Sequence, residues 1–411
     1  MIRNNKLRRA VRCILLAGCL VGAQNLAFAA ATPRAAAETL IFDGKAMPLG
    51  AGQASDPSLF NLNGQWLSIF TTVGWKSTCP AMHGYSFVIR ETGAALPAGK
   101  NLGTAVNNWQ VLPDGAGSYA QFLRPGPSGS WDEDAIESPK LTNGYDPTQG
   151  KNVTRIYYTG WRRVQTGTDA SGCPIFGYQD WKIGMAEFSA ASGQWVKRAA
   201  PVLDGANAWE QIHYIRPDGT RATYTFIGDQ SVIYIAGTGS KPGAWHMYYQ
   251  ATTDYPSLRV VTIHATSTDG VTWPAANRAI LSTHPPSPTA LLPGGPYSID
   301  VTMINGKLYF VGWVPNQDPS QQGLWMVSST TPDGKAAGDF SKWTPLLYDN
   351  NGTWWHSADA QSLLTHEAGL FAPTLVHENG ALWLYYSGTR KDADGIWTSV
   401  GRALVDPAVL R

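Results

Sequence analysis

Cysteine is scarce in this chain of 411 residues, which has four, and two of those, Cys13 and Cys19, fall in the first thirty residues. No Cys/His cluster has zinc spacing, no glycine-rich phosphate loop occurs and there is no Gly-x-Ser-x-Gly, so nucleotide and acyl chemistry find no motif here. Excess charge of one sign is also lacking, the formal net charge being +1 at pH 7. No stretch beyond the first thirty residues approaches the roughly 20 apolar residues of a membrane helix. No helical period is sustained long enough to suggest a second domain.

The first thirty residues stand apart. Arg3, Lys6, Arg8, Arg9 and Arg12 precede an apolar stretch from Cys13 to Val21, and Ala27-Phe28-Ala29 follows. That layout is a secretory signal over residues 1–30, leaving residues 31–411 as a single mature domain, soluble and secreted or periplasmic. Removing these five cations takes the formal charge from +1 to −4, which leaves no electrostatic basis for a nucleic-acid partner. Cys79 and Cys173 remain, and in an oxidising compartment one disulfide between them is the expected outcome.

What the chain has in quantity is 43 Gly and 17 Trp. They fall into a recurring phrase: a strand with a polar or acidic start, an Asn-Gly turn, then an aromatic strand. Copies run from Asp56 through Asn63-Gly64 to Trp75, from Asp300 through Asn305-Gly306 to Trp313, and from Ala372 through Asn379-Gly380 to Gly388. Asn-Gly between alternating apolar runs favours a type I′ turn, because both central residues accept positive φ, so each copy predicts a β-hairpin.

A second marker, a tryptophan at or before an outer strand, recurs at Trp109, Trp195, Trp273 and Trp343. Both markers share one period, longer than that of an ordinary four-stranded propeller blade. The pattern predicts an all-β chain, a five-bladed β-propeller of four antiparallel strands per blade. The blades span Asp56 to Leu112, Glu137 to Leu203 with a hairpin swollen between Thr142 and Thr154, Asp229 to Leu281, Asp300 to Leu347, and Ala372 to about Leu404. The last is one strand short, and Glu38-Thr-Leu-Ile-Phe-Asp-Gly is expected to complete it and close the ring.

In such a ring the inner strands start at one mouth. Asp56, Glu137, Asp229 and Asp300 occupy these starts and converge there. Together with Glu137-Ser-Pro and Asp56-Pro, this arrangement resembles the five-bladed propeller glycoside hydrolases of families 43, 62 and 32, which include arabinanases, arabinofuranosidases, xylosidases and fructan hydrolases. The resemblance implies Asp56 as base or nucleophile and Glu137 as general acid, cleaving glycosidic bonds of a poly- or oligosaccharide. The family order is Asp, Asp, Glu on the first three blades, whereas here the Glu is on the second, so the third carboxylate is either Asp229 or Asp300. Each acid has a plainer reading as a loop residue capping backbone amides. A polysaccharide lyase and a carbohydrate-binding propeller without chemistry are the alternatives.

Trp75, Trp161 and Trp313 follow glycine at equivalent strand ends, where their rings would either stack on sugars or wedge between blades. Arg162, Arg163 and Arg390 could hydrogen-bond sugar hydroxyls or an acidic group. Gly-Trp-Lys-Ser-Thr-Cys79 and Gly-Trp161 to Cys173 look like one loop in neighbouring blades, so a bridge would staple the mouth and turn His83 toward the funnel. His356, in the long link from Asp349 to Asp359, could assist catalysis or hold an ion in the central channel. No cofactor is required, although a calcium or other structural ion in that channel is compatible with the relatives. The partner expected is a saccharide, and the protein a monomer.

Overall fold

The computed structural model describes residues 32–47, 53–62, 64–75, 88–96, 109–113, 120–168, 170, 172, 174–284 except 217, 241, 255 and 256, 297–314, 322–334, 343–349, 354–355, and 369–410 except 394. The leader, Cys79, His83, Cys173 and His356 lie outside them, as does the staple between the cysteines.

The chain is all-β with a propeller arrangement of sheets. Strand β1 (Ala35–Phe42) comes first. Sheet one contains β2 (Ala54–Leu62), β3 (Gln65–Trp75), β4 (Val88–Leu96), β5 (Gln110–Val111) and β6 (Gln121–Leu123). Sheet two is β7 (Ala135–Asp146), β8 (Lys151–Thr168), β9 (Pro174–Ser189) and β10 (Gln194–Lys197). A separate hairpin, β11 (Gln211–Ile215) and β12 (Arg221–Thr225), leads to sheet three: β13 (Ile227–Ile235), β14 (Ala244–Thr253), β15 (Arg259–Ser267) and β16 (Arg278–His284). Sheet four is β17 (Tyr297–Ile304), β18 (Lys307–Val314), β19 (Gly323–Ser329) and β20 (Thr344–Tyr348), and sheet five β21 (Leu370–Glu378), β22 (Ala381–Asp392) and β23 (Gly395–Val405).

Strand β1 pairs antiparallel with β23, so the first strand of the described chain completes the last sheet, as the sequence predicts. Its Glu38 carboxylate accepts hydrogen bonds from Trp355 Nε1 at 2.8 Å and Tyr386 Oη at 2.7 Å. Two expectations change. Sheet one has a fifth strand, because β6 pairs with β4. The region from Thr142 to Thr154 is no swollen loop: β7 and β8 stay in register from Thr142↔Arg155 to Asp146↔Lys151. Arg155 causes this, since its buried guanidinium binds Asp146 and Glu187 and holds the long hairpin together.

Two of the three predicted hairpin turns have the required backbone, while Asn63 of the first lies outside the described residues. Asn305 and Gly306 have φ of 51° and 77°, and Asn379 and Gly380 of 52° and 77°. Buried apolar clusters then fill the space between consecutive sheets. Ile69 and Leu123 meet Ile136 and Tyr158 between sheets one and two; Tyr157 and Met185 meet Ile227 and Trp245 between two and three. Tyr248 and Leu281 meet Val301 and Phe310, and Tyr309 and Leu324 meet Leu375 and Tyr386. Finally Val376 and Tyr385 of sheet five meet Ala54 and Phe70 of sheet one. Trp109, Trp273 and Trp343, three of the outer-strand markers, are buried, which is why they recur: a large ring suits the widening gap between sheets that splay outward.

Each inner strand carries a bulge near its start. Register shifts fall between Ser55 and Ser58, Glu137 and Lys140, Gly228 and Ser231, Tyr297 and Asp300, and Phe371 and Thr374. The second residue of each bulge is left-handed: Asp56, Ser138, Asp229, Ser298 and Ala372 have φ between 47° and 54°. A left-handed residue other than glycine is held against a steric cost of about 1–3 kcal/mol. Hydroxyls on the preceding sheet help hold three of them, since Asp56 N donates to Ser387 Oγ, Ser138 N to Thr71 Oγ1 and Asp229 N to Thr159 Oγ1, at 2.9, 2.9 and 3.0 Å. The bulges set the height of every inner-strand side chain.

Candidate active site

The bulges sort the four acids into two levels. Asp56 and Asp229 take the left-handed position on sheets one and three, and Glu137 immediately precedes it on sheet two. Asp300 is the last residue of its bulge, level with Ser58, Lys140, Ser231 and Thr374 and two residues beyond the left-handed Ser298. The roughly equal spacing seen in the sequence hid this difference, because it does not show at which position of a bulge each acid falls.

The upper level joins sheets two and three. Ser138 Oγ donates to Asp229 Oδ1 at 2.9 Å. Gln230 Nε2 donates to the Ser138 carbonyl at 2.6 Å, and Thr159 Oγ1 donates to Gln230 Oε1 at 2.9 Å. Glu137 is buried, and Trp161 Nε1 donates to its Oε1 at 2.9 Å. Asp56 is half-buried and accepts from Ser55 Oγ at 3.0 Å. Thus three carboxylates stand in the first two positions of the bulges on three consecutive sheets, Glu137 in the first and Asp56 and Asp229 in the second. Ser138, Gln230 and Thr159 were not singled out in the sequence; Ser138 sits inside the Glu-Ser-Pro motif, which was its one available signal.

The lower level is closed. Asp300 accepts from Lys140 Nζ, from Ser231 Oγ at 2.7 Å and from Thr374 Oγ1 at 2.7 Å, gathering partners from sheets two, three and five. Burial would push its carboxyl up, but the Lys140 charge and these hydrogen bonds outweigh that and hold it below the ordinary carboxylate value. A structural ion does not fit at this level, because Lys140 already supplies the positive charge and both carboxylate oxygens are taken. Among the described residues no group of three or more His, Cys, Asp or Glu is placed to hold a metal.

The tryptophans are not equivalent. Opposite the first bulge residue stand Thr71, Thr159 and Trp313, so Trp313 is level with Thr159, Trp161 lies two residues farther along its strand, and Trp75, paired with Val88, four. Trp161 is buried against Trp181, the rings stacked at 5.9 Å. It is not an open sugar platform. Gly160 beside it is required, as a Cβ there would come within 2.5 Å of the Trp131 ring. Trp313 is half-buried, 5.6 Å from Tyr297, and donates to Asp349 Oδ2 at 2.9 Å. Burial raises the Asp349 carboxyl to about 7, despite hydrogen bonds from Trp313 and the Leu370 backbone.

Of the arginines, Arg390 binds Asp43 and Arg163 binds Asp134, so both serve the scaffold. Arg162 is half-buried on the extended β8 beside Trp161. At the opposite end of the inner strands, a depression of about 320 Å³ is lined by Leu59, Trp66, Met303, Asn305, Val376 and His377 among others, with no carboxylate in its wall.

No family model matches the chain, and no curated protein matches it. Solved structures do. A GH62 hydrolase in complex with xylotriose aligns with a TM-score of 0.51 at 10% identity, over 93% of this chain and 100% of that one. An α-L-arabinofuranosidase from Podospora anserina in complex with cellotriose aligns with a TM-score of 0.50 at 8% identity, over 91% and 98%. The fold is therefore that of the propeller glycoside hydrolases. In sequence the chain is distant from both structures.

Proposed function

We propose that this chain is an exported glycoside hydrolase, a single five-bladed propeller whose five sheets are its blades. The observation that carries the reading is the placement of Asp56, Glu137 and Asp229 in the first two positions of the bulges on three consecutive sheets. Hydrolysis of a glycosidic bond takes one carboxyl that protonates the leaving oxygen and one carboxylate that activates water or attacks the anomeric carbon. Glu137, buried and flanked by carboxylates on both neighbouring blades, suits the acid, because burial and like charges favour the protonated form. Asp56 suits the base or nucleophile. Asp229 is the third carboxylate, coupled to the acid's strand through Ser138. Asp300 is the channel's counter-ion to Lys140 and takes no chemical role.

The order Asp, Glu, Asp differs from the family's Asp, Asp, Glu, yet on a ring the second and third blades both adjoin the funnel. The substrate class that fits is a poly- or oligosaccharide, of arabinan, arabinoxylan or exopolysaccharide type, for which the xylotriose and cellotriose bound by the two similar structures offer a starting panel. Export behind the leader and a Cys79–Cys173 bridge belong to the same reading. The test is a screen of defined arabinans, xylans, fructans and exopolysaccharides for reducing-end release. Asp56→Asn and Glu137→Gln should each abolish release with thermal unfolding nearly unchanged. Full activity in both would refute the assignment, and sugar affinity without turnover in the unaltered protein would mark a binding propeller instead.

A further inference from the structure

We infer that Trp161 is a positioning residue for Glu137: its indole N–H holds one carboxylate oxygen, while its ring, stacked in a column, fixes that oxygen relative to the blade that carries Asp229. The inference rests on Glu137 being the general acid.

Packing alone does not account for Trp161. Trp109 and Trp273 are also buried between sheets, and their indole nitrogens have no hydrogen-bond partner among the described residues. Trp161 has the same low exposure, but its nitrogen is aimed at Glu137 Oε1. The column behind it continues past its own sheet. Trp181 on β9 stacks on Phe226 with centroids 4.3 Å apart, and the two residues form a parallel bridge. Thr225, next to Phe226, donates its backbone N–H to Asp180 at 3.2 Å. Phe226 directly precedes β13, whose third residue is Asp229. The column therefore runs from the acid, through the extended hairpin of sheet two, to the root of the strand bearing the neighbouring carboxylate. Ser138 closes the loop on the other side.

The chemical consequence concerns where the proton sits. An N–H donor stabilises an ionised carboxylate more than a neutral one, so it lowers the acid's pKa against the rise from burial. Among the described residues, the ionisable positions at this end of the elements packed on β7 are 56 on β2, 90 and 91 on β4, 162 and 163 on β8, and 229 on β13. Arg163 is engaged by Asp134, Lys140 on the acid's own strand by Asp300, and Lys182 on β9 by Asp180. The substitution Trp161→Phe removes the N–H that reaches Glu137 and keeps a ring in the stack with Trp181.

The experiment is a carbon-13 carboxyl titration of the full-length protein and of Trp161→Phe, with the Glu137 resonance identified by its loss in Glu137→Gln. The pKa of Glu137 should rise by about one unit or more when the donor is removed, and the alkaline limb of kcat/KM should move up with it while KM changes little. An unmoved titration in folded Trp161→Phe overturns the inference. If that variant does not fold, the unaltered protein still decides: one indole nitrogen-15 resonance should follow the Glu137 titration and stop doing so in Glu137→Gln, and absence of such a resonance overturns it. Full hydrolytic activity in Glu137→Gln would instead remove the general-acid reading, a result distinct from either titration.

Discussion

Replacing Lys140 with methionine tests the two-level reading of the channel without any substrate. Among the described residues the ammonium is the one charged partner of Asp300, and the side chains are 16% and 7% exposed. Methionine keeps the length of the stem but leaves a buried carboxylate with only the Ser231 and Thr374 hydroxyls. Breaking a buried pair from one side costs about 3–5 kcal/mol, since the remaining charge is uncompensated. In the unaltered protein the Asp300 pKa lies below its ordinary value, so its contribution is complete above about pH 4 and is lost as pH falls through the folded pKa. Without Lys140, burial dominates and the folded pKa rises above the unfolded one, so the cost is largest at high pH and fades on acidification. Urea unfolding of Lys140→Met should therefore show the full deficit at pH 7 and a smaller one at pH 4.5, and adding Asp300→Asn should restore most of it. A deficit below about 1 kcal/mol at pH 7, or one independent of pH, would refute the argument.

Two further outcomes follow from buried titratable groups. Asp349 has its pKa raised to about 7, so the stability tied to its protonated form is intact below the unfolded value and lost as pH rises toward 7. Asp349→Asn should then match the unaltered protein at pH 4 in urea unfolding and exceed it at pH 8 by at most about 4 kcal/mol. The rings of His246 and His264 are stacked at 5.2 Å with a 2.9 Å contact between Nδ1 and Nε2. Burial holds them at about 4 and, with His246 adding to burial for the second, about 3. Their contribution is full above pH 6.5 and lost as pH falls toward those values, so His264→Phe should flatten the decline in thermal unfolding temperature between pH 6.5 and 4; an unchanged slope would exclude the pair as its source.

The sequence showed local matters well. Asn305-Gly306 and Asn379-Gly380 specify their turns by backbone sterics alone, and the alternation on either side specifies the strands. The segment around Glu38 was legible as a missing strand because the last repeat lacked one. Other features were not legible. That the stretch from Thr142 to Thr154 would stay paired depends on Arg155 reaching Asp146 and Glu187, and the hairpin β11–β12 has no counterpart in the repeat. Trp75, Trp161 and Trp313 read as equivalent since each follows glycine, but cross-strand register is set by where the bulge falls.

By itself, the sequence determined the periodic sheets, the strand that completes the last of them and the four acids at inner-strand starts, because turn sterics and side-chain alternation act between near neighbours. Only the tertiary structure decided that Asp56, Glu137 and Asp229 fall in the first two positions of their bulges while Asp300 lies at the last, the level of Lys140. That distinction arises from an offset of two or three residues within a bulge, and its effect on burial and charge exists only once strands some 70 to 160 residues apart face one channel.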